Sequence, residues 1–229
     1  VVGTHVANLS PATGPRLNRV WATEYAAWQG RDLHGKRYTY WWVDGIYFNV
    51  WLAPERPCIL VIAGALPECT KELVAVCDGE RESAASWRLV VRDLRARGLE
   101  EGARLAMGDG ALGFWKATEE LVPGTAAQRC WVHTTANVLD KLPTNVQPAA
   151  TRMLHDMYLS PTRDKAEQAY KQFVAACQAK YPKAVACLAK DHDVLFTFYD
   201  VPAELWSHLR TTTPIESLFA TIRHRTRQT

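Results

Sequence analysis

Arg104-Leu105-Ala106-Met107-Gly108-Asp109-Gly110-Ala111-Leu112-Gly113-Phe114-Trp115 is a short apolar run that ends in Gly-Asp-Gly and passes at once into an amphipathic segment. In an α/β domain this pattern puts an acid at the carboxyl end of a buried strand, where open sheets keep their ligand sites. The flanking glycines let the backbone turn sharply and approach another group closely. Taken alone, an Asp placed like Asp109 is more often a turn residue or helix cap than a group that carries chemistry. Its meaning depends on whether other acids can reach it.

Working outward, Tyr38 to Val43 is apolar on both faces, as in a strand covered on both sides. It runs into Asp44-Gly45 and continues as Ile46 to Leu52. Asp is depleted in strands because its carboxylate is poorly hidden there. Asp44-Gly45 is therefore either a hairpin turn or a carboxylate placed inside a strand, and local sequence leaves both open. Cys58 to Ala65 and Glu72 to Cys77 read as two more strands joined around Pro67. Glu82-Ser83 opens a helix with Trp87, Val90, Val91 and Leu94 on one side, closed at Gly98. Leu105 to Gly108 is a fourth strand, Leu112 to Leu121 a helix and Gln128 to Val132 a short fifth strand. This order mixes hairpins with crossovers, so the expected fold class is α/β with a mixed five-stranded sheet and flanking helices.

Two regions differ in texture. Before the first strand, Leu17, Val20, Trp21, Tyr25 and Trp28 follow helical spacing up to Gly30, with Pro15 in the first turn, as expected of a packing helix. From about Thr134 to Leu209 only helical periodicity remains, broken at Pro143, Ser160-Pro161, Tyr181-Pro182 and Val201-Pro202. That block reads as an all-helical insertion in the α/β domain. A last helix starts at Thr213-Pro214. The expected division is 1–36 as a linker helix and the remnant of an N-terminal region, 37–133 with 210–229 as the core, and 134–209 as the insertion.

The whole chain has 229 residues, 48% hydrophobic and 22% charged, with a formal charge of +3. That length is enough for one large domain with a sizeable core, and the charge is too mild to diagnose a polyanionic partner. Its distribution says more: from Arg210 onward, Arg210, Arg223, His224, Arg225 and Arg227 face one acid, Glu216. The six cysteines form no Cys-x-x-Cys pair, which suits reduced thiols in a cytosol. No apolar run reaches the ~20 residues a membrane helix needs. The chain opens at Val1 without Met and stops in a basic segment, as a fragment would.

If Asp44 and Asp109 lie on neighbouring strands, their carboxylates repel unless cations sit between them. Such oxygens suit Mg²⁺ or Mn²⁺, and two ions about 3.5–4 Å apart can serve phosphoryl transfer. A third acid is available in Glu216. Helical spacing puts it on one strip with Arg223 and Arg227, beside an apolar strip of Ile215, Leu218, Phe219 and Ile222. An acid beside an arginine row suits a phosphodiester substrate. Thr213-Pro214-Ile215-Glu216 is equally a capping box, so Glu216 has a purely structural reading too.

Four segments taken together carry a family resemblance: 40–48 (Tyr-Trp-Trp-Val-Asp-Gly-Ile-Tyr-Phe), 108–114 (Gly-Asp-Gly-Ala-Leu-Gly-Phe), 128–137 (Gln-Arg-Cys-Trp-Val-His-Thr-Thr-Ala-Asn) and 209–217 (Leu-Arg-Thr-Thr-Thr-Pro-Ile-Glu-Ser). In this order they resemble the Mutator-type transposases of bacterial insertion sequences, from roughly Leu9 to the end. The resemblance implies a ribonuclease-H-like fold with a helical insertion before the last catalytic helix. It implies an Asp-Asp-Glu triad on Asp44, Asp109 and Glu216, two Mg²⁺ (or Mn²⁺) ions, and DNA as partner: inverted-repeat ends and target, bound by a homo-oligomer in a bacterial cytoplasm. Arg210, Arg223, Arg225 and Arg227 are the expected DNA-backbone contacts. Cys130 and His133 match the family's Cys-x-x-His signature, with Cys130 facing the core and His133 near the active site or the DNA; with no second pair in the chain, a structural zinc is not expected.

Three positions depart from the family pattern. Thr213 stands where Asn is usual, Glu68-Cys69 replaces an Asp-Gly turn, and Gly14-Pro15 falls in what resembles a helix-turn-helix remnant. Those at Thr213 and Gly14-Pro15 motivate a second reading, a catalytically silent, decayed or truncated DNA-binding remnant. A third is a hydrolytic nuclease of the same fold.

Overall fold

A computed structural model describes residues 12–47, 58–79, 81–110 and 112–215. Five strands make one sheet: β1 (Tyr40–Tyr47), β2 (Cys58–Ala65), β3 (Lys71–Gly79), β4 (Leu105–Gly108) and β5 (Ala126–Arg129). Their order across the sheet is β3-β2-β1-β4-β5. β1 pairs antiparallel with β2, and β2 with β3; β1 to β4 and β4 to β5 are parallel. The sheet is mixed, as the sequence predicts, and its order is ribonuclease-H-like.

The open choice at Asp44-Gly45 is settled by the ladder. β1 runs through both residues without a turn, with Asp44 opposite Val61 and Gly45 opposite Leu60 on β2. The true hairpin lies between β2 and β3, where the Leu66 N–H bonds to the Thr70 carbonyl and the Cys69 N–H to that of Leu66. Cys69 adopts φ +67° there, the left-handed conformation that glycine takes without penalty. This cysteine performs a glycine's task at a cost of order 1 kcal/mol.

The sheet is covered on both faces. One face, carrying Trp41, Val43, Leu60 and Ile62, packs against α2 (Ala84–Ala96) through Trp87, Val91 and Leu94, and against α3 (Leu112–Leu121) through Phe114. The Ser83 hydroxyl caps α2 by accepting from the Ser86 N–H. Gly113 lets the two helices touch: a Cβ there would stand 2.6 Å from the backbone of Ser83 and Ala84. The opposite face, carrying Trp42, Ile46, Val61, Leu105 and Met107, packs against the chain from Trp131 to Leu209.

That stretch comprises α4 (Trp131–Leu139), α5 (Gln147–Tyr158), α6 (Arg163–Cys177), α7 (Pro182–Ala189) and α8 (His192–Leu195), then two 3-10 turns (Thr197–Asp200 and Ala203–Leu205) and α9 (Trp206–Leu209). Its residues Leu154, Phe173, Leu188 and Phe198 share one continuous core with the sheet.

Two expectations need correction. The fifth strand ends at Arg129 rather than Val132, because Trp131 already starts α4. Trp131 and Val132 favour strand by type, but burial of Trp131 against Tyr158 and Phe196 overrides that local preference. The first helix, α1 (Thr13–Gln29), runs smoothly across Gly14-Pro15 to Gly30 but buries none of its residues. Val20, Trp21 and Tyr25 stay exposed, and Tyr25 reaches the sheet only through its hydroxyl, which donates to the Val76 carbonyl at 2.5 Å. It is an appended helix, not a packing helix.

Candidate functional site

Asp44 and Asp109 reach the same rim of the sheet by different routes. β1 and β4 are parallel, with Trp42 opposite Met107. Carrying that register two residues further brings Asp44 level with Asp109, just past the end of β4. Asp44 is buried within its strand, whereas Asp109 is half-buried in the turn that follows β4. Gly110 makes that turn at φ +90°, with the Arg129 guanidinium packed where its side chain would be. Arg129 itself is buried, its Nε 3.0 Å from an Asp191 carboxylate oxygen.

A tight cleft at this rim is lined by Val43, Asp44, Glu82, Gly108, Asp109 and Trp115. Glu82, which in the sequence marks only the opening of α2, joins the two aspartates in this cleft. Its carboxylate lies over Gly45, where a Cβ would come within 1.7 Å of its oxygen. A glycine inside a strand marks close approach of another group, and that was the available signal. Burial, then the charges of Asp109 and Asp44, push the Glu82 carboxyl up to about 7 against the pull of a Gly45 N–H bond and of His133. A roomier cavity of about 630 Å³ runs along Trp42, Lys71, Leu73, His208 and Pro214. Unlike the acidic cleft, it brings no pair of Asp carboxylates together.

The raised Glu82 pKa has a direct consequence for stability. The folded protein holds this proton from about pH 4.5 to 7 while the unfolded chain releases it, so stability falls as pH rises through that window. Discounted for partial exposure, the cost above pH 7 is on the order of 2 kcal/mol. Glu82→Gln is therefore expected to raise the metal-free melting temperature at pH 8 by about 5 °C and to change it little at pH 4.5. Parallel melting profiles for the two proteins across pH 4.5–8 would contradict this account.

On the other side of the rim, His133 stands on the first turn of α4. Its pKa is raised to about 9, first by hydrogen bonding to Cys130 and further by the thiol's charge and those of Asp109 and Asp44, against burial. Burial lifts the Cys130 thiol, but bonds from His133 and Thr212 outweigh it and the net shift is downward. The imidazole Nδ1 is buried with no partner in good hydrogen-bond geometry among the described residues. The cleft thus pairs carboxylates with an imidazole held cationic. All six cysteines are free thiols.

The sequence family profile described as "Transposase, Mutator family" matches residues 2–229. The chain belongs to the Mutator transposase family. A transposase for insertion sequence element IST2 of Acidithiobacillus ferrooxidans is 50% identical over 100% of this chain and 77% of its own length. One for IS6120 of Mycolicibacterium smegmatis is 51% identical over 97% of this chain and 69% of its own. A more distant relative, the transposase for IS905 of Lactococcus lactis, is 26% identical over 96% of the chain.

Of the residues singled out in this Mutator-family chain, the structure brings Asp44, Asp109 and His133 to one rim. Glu216, Arg223, Arg225 and Arg227 lie outside the described residues. Arg210 is described, and its guanidinium is turned inward: it donates to the Tyr158 carbonyl at 2.5 Å and lies over that ring. Helical backbone begins at Thr213, and the Thr213 hydroxyl accepts a hydrogen bond from that of Thr211. The capping position thereby falls on Thr212, one residue earlier than a capping box ending at Glu216 requires. Among the described residues no three His, Cys, Asp or Glu side chains converge closely enough to enclose a metal ion. Two hard carboxylates at one rim, beside a third that burial and their charges together raise to about 7, fit a divalent cation in donor type.

Proposed function

We propose that this chain cleaves DNA strands at the ends of an insertion sequence and joins them to target DNA, using Asp44, Asp109 and Glu216 as its three carboxylates. The observation that carries the reading is that Asp44, on β1, and Asp109, just past the end of the adjacent parallel strand β4, line one cleft. Family membership supports it, as do the transposase relatives.

Asp44, Asp109 and Glu216 would hold Mg²⁺ or Mn²⁺, as two ions. When bound, these ions lower the pKa of an attacking water or 3′-hydroxyl and neutralise charge on the phosphate. The protein's own part is placement. Asp44 is locked in a strand paired with β2 before and after it and fixes one donor; the Gly110 turn sets the other. His133, held cationic, lies where a phosphate oxygen gains from a nearby donor. Arg223, Arg225 and Arg227 hold the DNA backbone, so affinity falls steeply with salt. Arg210 belongs to the same basic segment but spends its guanidinium on Tyr158. A homo-oligomer on DNA, acting on two ends together, completes the proposal. Among the described residues no helix is long and apolar enough to cross a membrane.

The test is a gel assay for nicking and joining of inverted-repeat DNA in Mg²⁺, with Glu216→Gln beside the wild type. The variant should lose at least about 10²-fold in both steps while keeping its circular dichroism and DNA affinity. Wild-type rates in Glu216→Gln would remove Glu216 from the site. The second reading, a silent DNA-binding remnant, is favoured by one observation, the glycine-like turn held by Cys69 at φ +67°. Tight binding of inverted-repeat DNA with no nicking by the wild type, in Mg²⁺ or Mn²⁺, would select it.

A further inference from the structure

Cys130 occupies the N-cap position of α4, where Ser, Thr, Asp or Asn usually supplies a side-chain oxygen to the helix. It makes no such cap bond. Its main chain and its side chain instead serve two different parts of the rim. The Cys130 N–H donates to the Gly108 carbonyl at 2.7 Å, immediately before Asp109. Its Sγ accepts from the Thr212 N–H at 3.3 Å and lies 3.3 Å from the Thr212 hydroxyl. Next to it, the Trp131 N–H donates to the Arg210 carbonyl at 2.9 Å.

Cys130 and Thr212 are both fully buried, and three residues later Ile215 is fully buried in the sheet-side core. The Ile215 N–H bonds back to the Thr212 carbonyl at 2.9 Å. One residue therefore grips the strand end that presents Asp109 and, through sulfur, the segment that enters Glu216. Those two points are 103 positions apart in sequence at Asp109 and Thr212 (212 − 109), and no strand pairing joins them.

We infer that Cys130 is a positioning residue that sets the distance between Asp109 and Glu216 by holding Gly108 through its amide and Thr212 through its sulfur. This rests on the reading of Glu216 as the third carboxylate. Sulfur suits the task because its longer bonds span a gap that a hydroxyl would leave slightly open.

The test uses the full chain with Cys130→Ala, Cys130→Ser and Thr212→Val, and the double variant Cys130→Ala with Thr212→Val. Strand-transfer kcat and KM for inverted-repeat DNA are measured, together with the rise in melting temperature that Mn²⁺ produces. A misplacement of about 1 Å in a catalytic group costs of order 10²-fold. Cys130→Ala is expected to lower kcat by about 10- to 100-fold with KM unchanged, and to lose most of the Mn²⁺-induced rise. Thr212→Val keeps the Thr212 N–H bond to sulfur and loses only the hydroxyl contact, so its loss should be smaller. The double variant should be no worse than Cys130→Ala alone, which already cuts the whole link. Cys130→Ser should recover most of the loss.

Cys130→Ala with wild-type kcat and an intact Mn²⁺ rise would overturn the inference, as would strictly multiplicative losses in the double variant. Glu216→Gln separates this from the reading beneath it. If that variant keeps both kcat and the Mn²⁺ rise, the Glu216 assignment falls; if it loses both while Cys130→Ala keeps them, only the positioning role falls.

Discussion

Asp109→Asn is expected to lower strand transfer at least about 10³-fold while leaving the metal-free protein as stable as the wild type or more so. Both halves follow from the same geometry. The carboxylate stands at the rim beside Asp44, and its charge is one cause of the raised Glu82 pKa. On the proposed reading, replacing it with an amide removes a hard donor to a divalent cation. The same change relieves like-charge repulsion in the metal-free protein, so Glu82 ionises more easily and the pH-dependent cost shrinks. An ordinary structural aspartate, serving as a turn or cap, would show the reverse: lower stability with activity falling only in proportion. Gel assays of transfer and melting curves in chelator at pH 8 read the two effects separately. Transfer at the wild-type rate would end the assignment of Asp109 to the chemistry.

The second large effect is structural. Trp131→Ala is expected to cost about 3–5 kcal/mol, lowering the melting temperature by roughly 10 °C. The indole is fully buried, with ring centroids 5.2 Å from Tyr158 and 5.6 Å from Phe196, and its Nε1 donates to the Leu195 carbonyl at 2.9 Å. The Gln128 side-chain amide also reaches that carbonyl, at 3.0 Å, so the lost packing, more than an orphaned acceptor, sets the cost. Trp131 lies in the core shared by the sheet and the helices after β5. The variant should accordingly melt in a single transition, with near-ultraviolet and far-ultraviolet dichroism coinciding. Two separated transitions would show that helices and sheet are independent units.

Much of this was legible in the chain because the signals were local. Leu105–Gly108 and Leu112–Leu121 follow from an apolar run, a glycine pair and helical spacing, and the structure gives those bounds. Ser83 announces α2 by its hydroxyl. Asp44-Gly45 could not be resolved locally, since the same dipeptide serves a hairpin turn and a strand that needs both an acid and a missing side chain. Only pairing with Val61 and Leu60 on β2 distinguishes them. Glu82 escaped notice for a related reason. Its role depends on Gly45, a residue far away in sequence, and nothing beside it in the chain marks it as more than the residue before a helix cap. The end of β5 was misjudged because Trp131 and Val132 carry strand propensity that tertiary burial overrules. The sheet with its two covered faces was thus predictable, whereas the contacts that tie its far ends together were not.

The uninterrupted course of β1 through Asp44 makes the two halves of the rim mechanically unequal. Asp44 cannot shift without breaking a ladder that continues on its β2 side beyond it in both directions. Asp109 sits outside the last paired residue of its strand, on a turn made by Gly110 and held from behind by Cys130 and Arg129. One jaw of the cleft is thus fixed by the ladder itself, the other by side chains and single bonds from outside it. A substitution at Cys130 or Arg129 can move the second jaw without disturbing the first, and β1 is the ruler against which that movement is read.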